Sequence, residues 1–576
     1  MTRPLLALLT SLALVAPAGA QDMRSRANDA IHVLRAEQKP DGSYGGSVAT
    51  TGLALYGFAK SGRQYREADG PFVSRAVEFL QGHAATDGSF TSPADKDAVR
   101  STLAAALALH ALDAKKYEKQ VKSAADFASQ KSGKKWVEGD PLEVFVETAA
   151  PGLLPLVPAD PDEQKAAADA GKQPNGGYGD PAVTASRLVL FNRVASLAPP
   201  SKPEDRPLAP LPAWDPNAKV DVDETLRQSI RFLMSRQGPS GGFGSAITKG
   251  EDLGVTALAA QALWAWPGEM PADVRKAAER ATEMVAAAAR EDGSIHGSGL
   301  ENYTTSAAVG ALVASKDAKY KKTIDKARAY LSSLQADEAE GIKPDHWSYG
   351  GFGYGDEERP DLSNTQFAMD ALHVAGAPPD DPAMRRALVF LQRCQNRSET
   401  NHIEISRDGV TAVAGNDGGA MYYPGNSKAG VDKLPDGRVV PRSYGSMTYA
   451  LLKGFVFAGL PKDDARLKDA YAWCAKNYTL DRVPGYEEMA KAMPRAVHQG
   501  LFYYYVAMAT ALRAYGAKEI ETPDGKKHDW RRELAARLKS MQKPDGSFVN
   551  ENSPRWFEGD EVLATTHAVL ALGATK

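Results

Sequence analysis

The chain of 576 residues is longer than one ordinary domain, and its length suggests two or three folding units. Its net charge of −3 and its 43% of hydrophobic residues are typical of a globular protein with a large core, and exclude the strongly basic character of nucleic-acid binding proteins. Only two cysteines occur, Cys394 and Cys474, which excludes a disulfide scaffold and a Cys-x-x-Cys metal or redox pair. Each lies in an apolar helical pattern, which favours buried thiols and leaves a bond between neighbouring helices open.

The first twenty residues predict a secretory signal peptide. Arg3 supplies a positive start, an apolar run extends from Leu5 to Val15, and Ala18-Gly19-Ala20 is typical of a cleavage site. The apolar run is too short to span a bilayer comfortably. We therefore expect cleavage before Gln21, and a secreted or periplasmic protein with no membrane span.

After the signal peptide, one pattern recurs along the chain. A helix ends near a glutamine, a glycine-rich turn carries an aromatic residue, and a second, more apolar helix follows. The turns lie at 38–44, 87–90, 241–244, 292–295, 350–353 and 542–548. The first helix of each unit is amphipathic and the second is apolar nearly all round, so that neighbouring hairpins must stack to cover it.

The number of hairpins predicts the architecture. After a proline-rich stretch we count six hairpins, whose apolar helices begin near Asp252, Tyr303, Asp361, Tyr444, His498 and Glu561. Six hairpins supply twelve helices, enough for a closed double ring. The sequence therefore predicts an all-α protein with an α/α toroid at 217–576, a proline-rich linker at 198–216 and a further helical-repeat domain at 21–197. In that domain three or four hairpins are expected, around Thr51, Val99, Phe145 and Val183, the last two with a weaker pattern.

The repeat resembles the QW-type repeat shared by squalene-hopene cyclases and protein prenyltransferases, and the resemblance covers most of the mature chain. It implies an α/α toroid with an apolar central cavity, which in that superfamily holds isoprenoid chains. Complement thioester domains and cobalamin carriers share the architecture, so the fold alone assigns no function.

The best local match runs from Gly350 to Gln366 and lacks the key residues of both families. In squalene-hopene cyclases a similar place carries Asp-x-Asp-Asp-Thr, whose middle Asp protonates the alkene. This chain has Asp361 at the first position but Ser363 at the middle one, and a serine hydroxyl is not a strong acid. Protein prenyltransferases bind zinc through an Asp, a Cys and a His, which align with Asp361, Ser363 and Gly445 of this chain. Only Asp361 could be a ligand, and one carboxylate is not enough to bind zinc. We therefore expect no metal and no cofactor.

Candidate site residues remain in the last repeats. Asp361 and Asp252 are the candidate catalytic acids, although Asp361 is also typical of a helix N-cap. Aromatic side chains cluster in the turns and apolar helices, where they could line a pocket for an apolar or cationic ligand or pack in the core. The residues expected to bind a ligand are Trp347, Tyr354, Tyr423, Tyr444 and His498.

Three functions stay open. The favoured one is an exported toroid, non-catalytic or divergent, that binds an apolar isoprenoid-like molecule or a protein partner, because both family chemistries lack key residues. The second is a divergent isoprenoid cyclase or transferase that uses acids such as Asp361 or Asp252. The third is a polysaccharide lyase or hydrolase on a toroid scaffold. Nucleic acid is not an expected partner.

Overall fold

The computed structural model describes residues 18–61, 64–137, 141–158, 161–173, 177–197, 208–245, 250–297, 300–355, 359–407 and 409–576. The chain divides into two units, Met1–Arg206 and Pro207–Lys576, each with its own hydrophobic core. The predicted signal peptide lies outside the described residues, apart from residues 18–20 at the start of the first helix. Among the helices of the described ranges, none has the length and apolar character needed to cross a membrane.

The N-terminal unit has eight helices in its described residues. They are α1 (Ala18–Ala36), α2 (Val48–Lys60), α3 (Pro71–Gly82), α4 (Ala98–Asp113), α5 (Glu118–Ser132), α6 (Leu142–Ala149), α7 (Pro161–Asp169) and α8 (Pro181–Leu197). Helix α2 packs against α3, α4 and α8, and α8 also contacts α1, so the fourth hairpin returns to the first. Gly52 permits close packing of α2 on α4, because a Cβ at this position would lie 2.5 Å from the carbonyl carbon of Ala104.

The described part of the C-terminal unit contains six hairpins, each with an outer and then an inner helix. They are α9 (Val222–Arg236) and α10 (Leu253–Trp264), α11 (Ala272–Ala287) and α12 (Glu301–Ala314), α13 (Lys321–Ser333) and α14 (Leu362–Val374), α15 (Pro382–Cys394) and α16 (Gly445–Phe457), α17 (Ala465–Lys476) and, after the one-turn α18 (Glu487–Ala490), α19 (Leu501–Tyr515), and α20 (Trp530–Met541) and α21 (Glu561–Ala574). Each inner helix packs on the next, and α21 contacts both α10 and α9. The predicted double ring of twelve helices is confirmed. Cys394 and Cys474 are buried free thiols.

The glutamine of a repeat joins its own turn to the next outer helix. The amide nitrogen of Gln335 donates to the carbonyl oxygen of Gly350 in its own turn, at 2.8 Å, and to that of Ala383 in α15, at 2.9 Å. Gln237 and Gln395 make the same pair of bonds, each to the outer helix that follows. One side chain thus holds two successive hairpins together.

The last repeat makes the corresponding contacts to the first outer helix. The amide nitrogen of Gln542 lies 2.9 Å from the carbonyl oxygen of Thr225 and 2.8 Å from Oγ of Ser229, both in α9. In the same turn Gly546 has a φ of +88° and packs so closely on α9 that a Cβ would overlap the carbonyl oxygen of Gln228. Only glycine combines this backbone conformation with so close an approach. These contacts close the ring.

A threonine ties a turn to its inner helix. The backbone N–H of Phe352 donates to Oγ1 of Thr365 in α14 at 3.0 Å, and that of Phe548 donates to Thr565 in α21 at 2.9 Å. Both phenylalanine side chains are fully buried. The aromatic residue of the repeat therefore serves the core between the two rings.

Short strands lie in the connections between helices of the C-terminal unit. Two ribbons pair β1 (Gly244–Ser245) with β2 (Gly250–Glu251) and β7 (Ile520–Glu521) with β8 (Lys527–His528). Between α15 and α16 lie β3 (Ile405–Arg407), β4 (Val410–Ala412), β5 (Val431–Lys433) and β6 (Val439–Pro441), in the sheet order β3-β4-β6-β5. The strands are at most three residues long, so the unit stays helical in class.

Part of the predicted linker, residues 208–216, packs on the C-terminal unit. Ala209 exchanges two hydrogen bonds with the side chain of Asn552, at 2.8 and 2.9 Å, and the indole N–H of Trp214 donates to Asp481 at 2.9 Å. These contacts place the start of the folded C-terminal unit before residue 217. The segment has no helix, but an extended chain can still pack through its backbone and single side chains.

We expect Gln542→Ala to destabilise the C-terminal unit by about 1–2 kcal/mol, because it removes two hydrogen bonds that each contribute about 0.5–1.5 kcal/mol. The control is Glu279→Ala on the exposed side of α11, away from the closing contact, where a change within about 0.5 kcal/mol is expected. Urea unfolding of both variants, followed by circular dichroism, measures the difference. Equal midpoints for the two variants would contradict a role for Gln542 in ring closure.

Candidate functional site

A cavity of about 620 Å³ lies within the inner ring of the C-terminal unit. All six inner helices contribute to its wall, at intervals of three or four residues along each helix. Most of the lining side chains are small or aliphatic, among them Leu258, Ala307, Ala371, Val506 and Leu570. The cavity occupies the middle and C-terminal parts of the inner helices, and its wall is mainly apolar.

Aromatic rings cross the lumen at the N-terminal side of the cavity. Phe367 of α14 stacks with Tyr503 of α19 at a centroid distance of 6.3 Å, and Tyr303 of α12 meets Phe367 at 4.7 Å. His567 of α21 lies 6.2 Å from Tyr503. The hydroxyl groups of Ser363 and Tyr503, 3.0 Å apart, add a polar bridge between α14 and α19, although α16 stands between these helices in the ring. This aromatic belt, formed by residues 303, 367, 503 and 567, narrows the lumen.

An ion pair interrupts the apolar wall. Nζ of Lys453 in α16 lies 2.6 Å from Oδ2 of Asp370 in α14 and 3.2 Å from Oγ1 of Thr510 in α19. The lysine side chain is 5% exposed and the aspartate side chain 33% exposed. Burial raises the pKa of Asp370, and the charge of Lys453 opposes that rise. The pair joins three consecutive inner helices from within the cavity wall.

Two buried polar side chains of the wall are incompletely hydrogen-bonded. Oε1 of Gln366 and Nδ1 of His567 have no hydrogen-bond partner among the described residues. Burial lowers the pKa of His567 to about 4, so its imidazole is neutral near pH 7. Gln366 and His567 therefore add neutral polar groups to the wall, and not a further charge.

Asp361 lies at the opposite end of α14 from the cavity. Its Oδ1 accepts the backbone N–H of Asn364 at 2.8 Å, its Oδ2 accepts Nδ2 of Asn364 at 2.8 Å, and the hydroxyl of Tyr422 is a further donor. Burial raises the pKa of the Asp361 carboxyl, and these hydrogen bonds oppose the rise. At about 1.5 Å per residue, ~13 Å of helix separates Asp361 from Asp370. Asp361 therefore caps α14, as a residue of this type at an N-cap is expected to do.

The positions aligned with zinc ligands have other roles. Ser363 bonds to the hydroxyl of Tyr503. Gly445 begins α16 where a Cβ would lie 2.7 Å from Cε2 of Tyr504, which leaves no room for a histidine. The described ranges of the chain contain no group of three or more His, Cys, Asp or Glu side chains placed to hold a metal ion.

The residues predicted as a site lie in the turns and at the N-terminal ends of inner helices. Those absent from the cavity lining are Asp252, Trp347, Tyr354, Asp361, Tyr423, Tyr444 and His498. Asp252 caps α10, accepting the N–H of Val255 at 2.8 Å. Two of the predicted carboxylates thus act locally on a helix terminus.

The predicted aromatic residues pack mainly with one another. Trp347 and Tyr423 lie 5.9 Å apart, and the guanidinium of Arg359 covers the ring of Tyr423 at 4.5 Å. Tyr444 meets Tyr486 edge-on at 5.2 Å. The structure therefore brings Trp347 and Tyr423 together, but as a packed cluster beside the turns rather than as a cavity wall.

Tyr354 and His498 hold the turns through their backbone. The carbonyl oxygen of Tyr354 accepts the N–H of Asn302 at 2.9 Å. That of His498 accepts Nδ2 of Asn550 at 2.7 Å. His498 is 8% exposed, and burial lowers the pKa of its imidazole.

Sequence reasoning missed the polar groups that do line the cavity. Lys453 is the only charged residue of α16, and Asp370 the only acidic residue of α14. Gln366 precedes Asp370 by one helical turn and therefore shares its face. An isolated charge among the mainly apolar residues in the middle of an inner helix was the signal that could have found them.

Comparison with known proteins identifies the repeat. The family model described as the prenyltransferase alpha-alpha toroid domain matches residues 5–135, 217–341 and 307–411. No curated protein matches the sequence. The solved structures that it resembles include the type II terpene cyclase MstE from Scytonema, at 16% identity and a TM-score of 0.36, over 61% of this chain and 97% of that one. A variant of that cyclase in complex with geranylgeranyl dihydroxybenzoate is 14% identical and has a TM-score of 0.36, over 62% of this chain and 97% of that one. The ent-copalyl diphosphate synthase from Streptomyces platensis is 14% identical and has a TM-score of 0.30, over 86% of this chain and 100% of that one.

We expect Asp361→Asn to leave the melting temperature nearly unchanged, because asparagine caps a helix almost as well as aspartate. Nδ2 of Asn364 now donates to Asp361, and a turn of the Asn364 amide brings its Oδ1, which has no partner among the described residues, into position to accept the new amide N–H. Asp361→Ala removes the cap and should cost about 1–2 kcal/mol. Thermal unfolding of both variants checks this expectation. An Asn variant as unstable as the Ala variant would show that the charge of Asp361, and not its cap, matters for the fold.

Proposed function

Because the chain belongs to the prenyltransferase alpha-alpha toroid domain family, whose model matches more than half of it, we propose that its C-terminal unit binds an apolar, isoprenoid-like molecule within the inner ring. The cavity of about 620 Å³ carries the proposal, since all six inner helices line it, mainly with apolar side chains. Small-molecule sites are typically concave, mainly apolar and about 300–1,000 Å³ in volume. An apolar occupant removes both its own surface and the wall from water.

We propose that binding takes place without the cyclisation chemistry of the family. Ser363 stands where a cyclase carries its acid, and its hydroxyl is bonded to Tyr503. The Asp361 carboxylate accepts hydrogen bonds from Asn364 and Tyr422 and lies beyond the aromatic belt from the cavity. A proton donor for an alkene must reach the bound substrate, and this arrangement supports a binding role instead.

A divergent cyclase or transferase is the second candidate. The observation that favours it is the raised pKa of the buried Asp361 carboxyl, a property that general acids share. On that reading, Asp361→Asn would abolish turnover of squalene or another polyprene while the fold remains intact. Absence of turnover in the parent protein, together with a bound lipid, supports the binding role.

We expect Val506→Trp to deplete a co-purified apolar ligand. Val506 is half-buried and lines the cavity, so an indole at this position takes up space that a ligand needs. Organic extracts of the purified protein, analysed by mass spectrometry, should contain less of the ligand than extracts of the parent.

The matched control for this prediction is Val431→Trp, which makes the same change at an exposed valine of β5. Its extract should contain as much of the apolar ligand as the extract of the parent, and circular dichroism should show that both variants are folded. If neither the parent nor the control carries an apolar molecule, or if Val506→Trp retains it in full, the cavity is not the binding site.

We also propose that the protein acts outside the cytoplasm, after removal of residues 1–20. The pattern of Arg3, the apolar run and Ala18-Gly19-Ala20 supports export. Met23, at 3% exposure, is the first buried side chain described in α1, so cleavage before Gln21 removes none of the described core.

We expect the protein expressed in a bacterium to accumulate in the periplasm with Gln21 as its first residue. Intact-mass measurement of the periplasmic protein checks the cleavage position. Ala20→Arg should block processing, because a small residue is needed immediately before the cleavage site, whereas the control Gly19→Ser should not. A chain that stays cytoplasmic, or whose mass shows an uncleaved Met1 start in the periplasm, would contradict the proposal.

A further inference from the structure

The ion pair in the cavity wall has unused hydrogen-bonding capacity. An ammonium group has three donors, and Lys453 uses two, towards Asp370 and Thr510. The Asp370 carboxylate accepts one hydrogen bond at Oδ2, and its Oδ1 has no partner among the described residues. A donor and an acceptor thus remain side by side on one wall of the cavity.

The pair is placed so that a ligand can reach it. Both residues line the cavity and one third of the Asp370 side chain is exposed, whereas its unpaired Oδ1 is buried, so that only a group inside the cavity wall can bond to it. Packing of α14, α16 and α19 does not require the pair, because well-packed apolar residues of similar volume usually stabilise a buried site as well as an ion pair does. A charged pair retained in an apolar wall is therefore better explained by recognition than by stability.

We propose that the Lys453–Asp370 pair recognises a hydroxyl group at one end of the apolar ligand. This inference rests on the proposed function, the binding of an apolar molecule in the same cavity. The ligand oxygen accepts the remaining N–H of Lys453, and the ligand O–H donates to the carboxylate of Asp370. Both unused positions of the pair are then filled by a single neutral group.

The charges of the wall favour a neutral head group over a charged one. A carboxylate head would approach Asp370, and an ammonium head would approach Lys453, so each adds a repulsion beside its attraction. His567 and Tyr503 are neutral near pH 7, because burial lowers the pKa of the first and raises that of the second. The remaining titratable residues of the lining, His373 and Arg513, are exposed to solvent, which screens interactions with them. An ether can only accept, and a hydrocarbon satisfies neither member of the pair.

Four probes of one carbon skeleton test the inference on the full chain. They are farnesol, farnesyl methyl ether, the hydrocarbon in which hydrogen replaces the hydroxyl, and farnesoic acid. The dissociation constant of each follows from the rise of the melting temperature with its concentration. We expect farnesol to bind about tenfold or more tightly than each of the other three, because they leave a buried donor or acceptor unpaired or add a charge.

The variant Asp370→Leu/Lys453→Met replaces the pair by apolar residues and avoids an unpaired buried charge, so that it is expected to fold. In this variant farnesol should lose its advantage and bind no more tightly than the hydrocarbon. The matched control is Arg231→Met/Asp273→Leu, which removes an exposed pair between α9 and α11 whose charged atoms lie 2.8 Å apart. The control should keep the preference for farnesol.

The outcomes separate the inference from the proposed function. If none of the probes binds, the proposed function is wrong, and the inference fails with it. If the hydrocarbon or the ether binds as tightly as farnesol, or the acid binds more tightly, the toroid binds apolar molecules but the hydroxyl assignment is wrong. A preference for farnesol that survives in the double variant would also overturn the assignment to Lys453 and Asp370.

Discussion

The side-chain amide of the repeat glutamine is the contact on which the ring depends. Its nitrogen has two N–H groups, and in Gln335 one goes to the turn of its own hairpin and the other to the next outer helix. Both acceptors are backbone carbonyl groups, so the bonds fix the position of one helix relative to the next rather than of one side chain relative to another. Gln237 and Gln395 repeat this step at two other hairpins, and Gln542 makes the contact to α9 where the ring closes.

The inner ring depends on this outer frame. Because the glutamines and turn glycines set the spacing of the outer helices, the inner helices can be built largely from small and apolar residues and still enclose a defined space. The aromatic belt contributes to the cavity wall at one level of the lumen, and the Lys453–Asp370 pair contributes at another. A few side chains thus set the polarity of the lumen, whereas contacts between the outer helices and the turns hold the ring together.

The sequence was sufficient to predict the fold but not the site. Apolar helices after glycine-rich turns identified all six inner helices, and the Asp361 cap follows from an aspartate immediately before an apolar run. The face of an inner helix that meets the lumen cannot be identified in the same way, because a helix apolar all round has no amphipathic stripe. Asp370 and Lys453 stand out as isolated charges in their helices, but no spacing along the chain indicates that the two residues pair. Trp347 and Tyr423 were expected in a pocket, but aromatic residues in these turns fill the space beside the hairpins.

The closing contact makes the C-terminal unit a ring without a structurally distinct first repeat. Helix α21 lies against α9, and Nζ of Lys576 is 2.6 Å from Oδ1 of Asp223, so the two ends of the ring meet. Circular permutation should therefore be tolerated: joining these ends and opening the chain in another turn preserves every helix–helix neighbour. Permutation keeps the cyclic order of the repeats, so the closed ring itself does not fix which hairpin stands first in the chain.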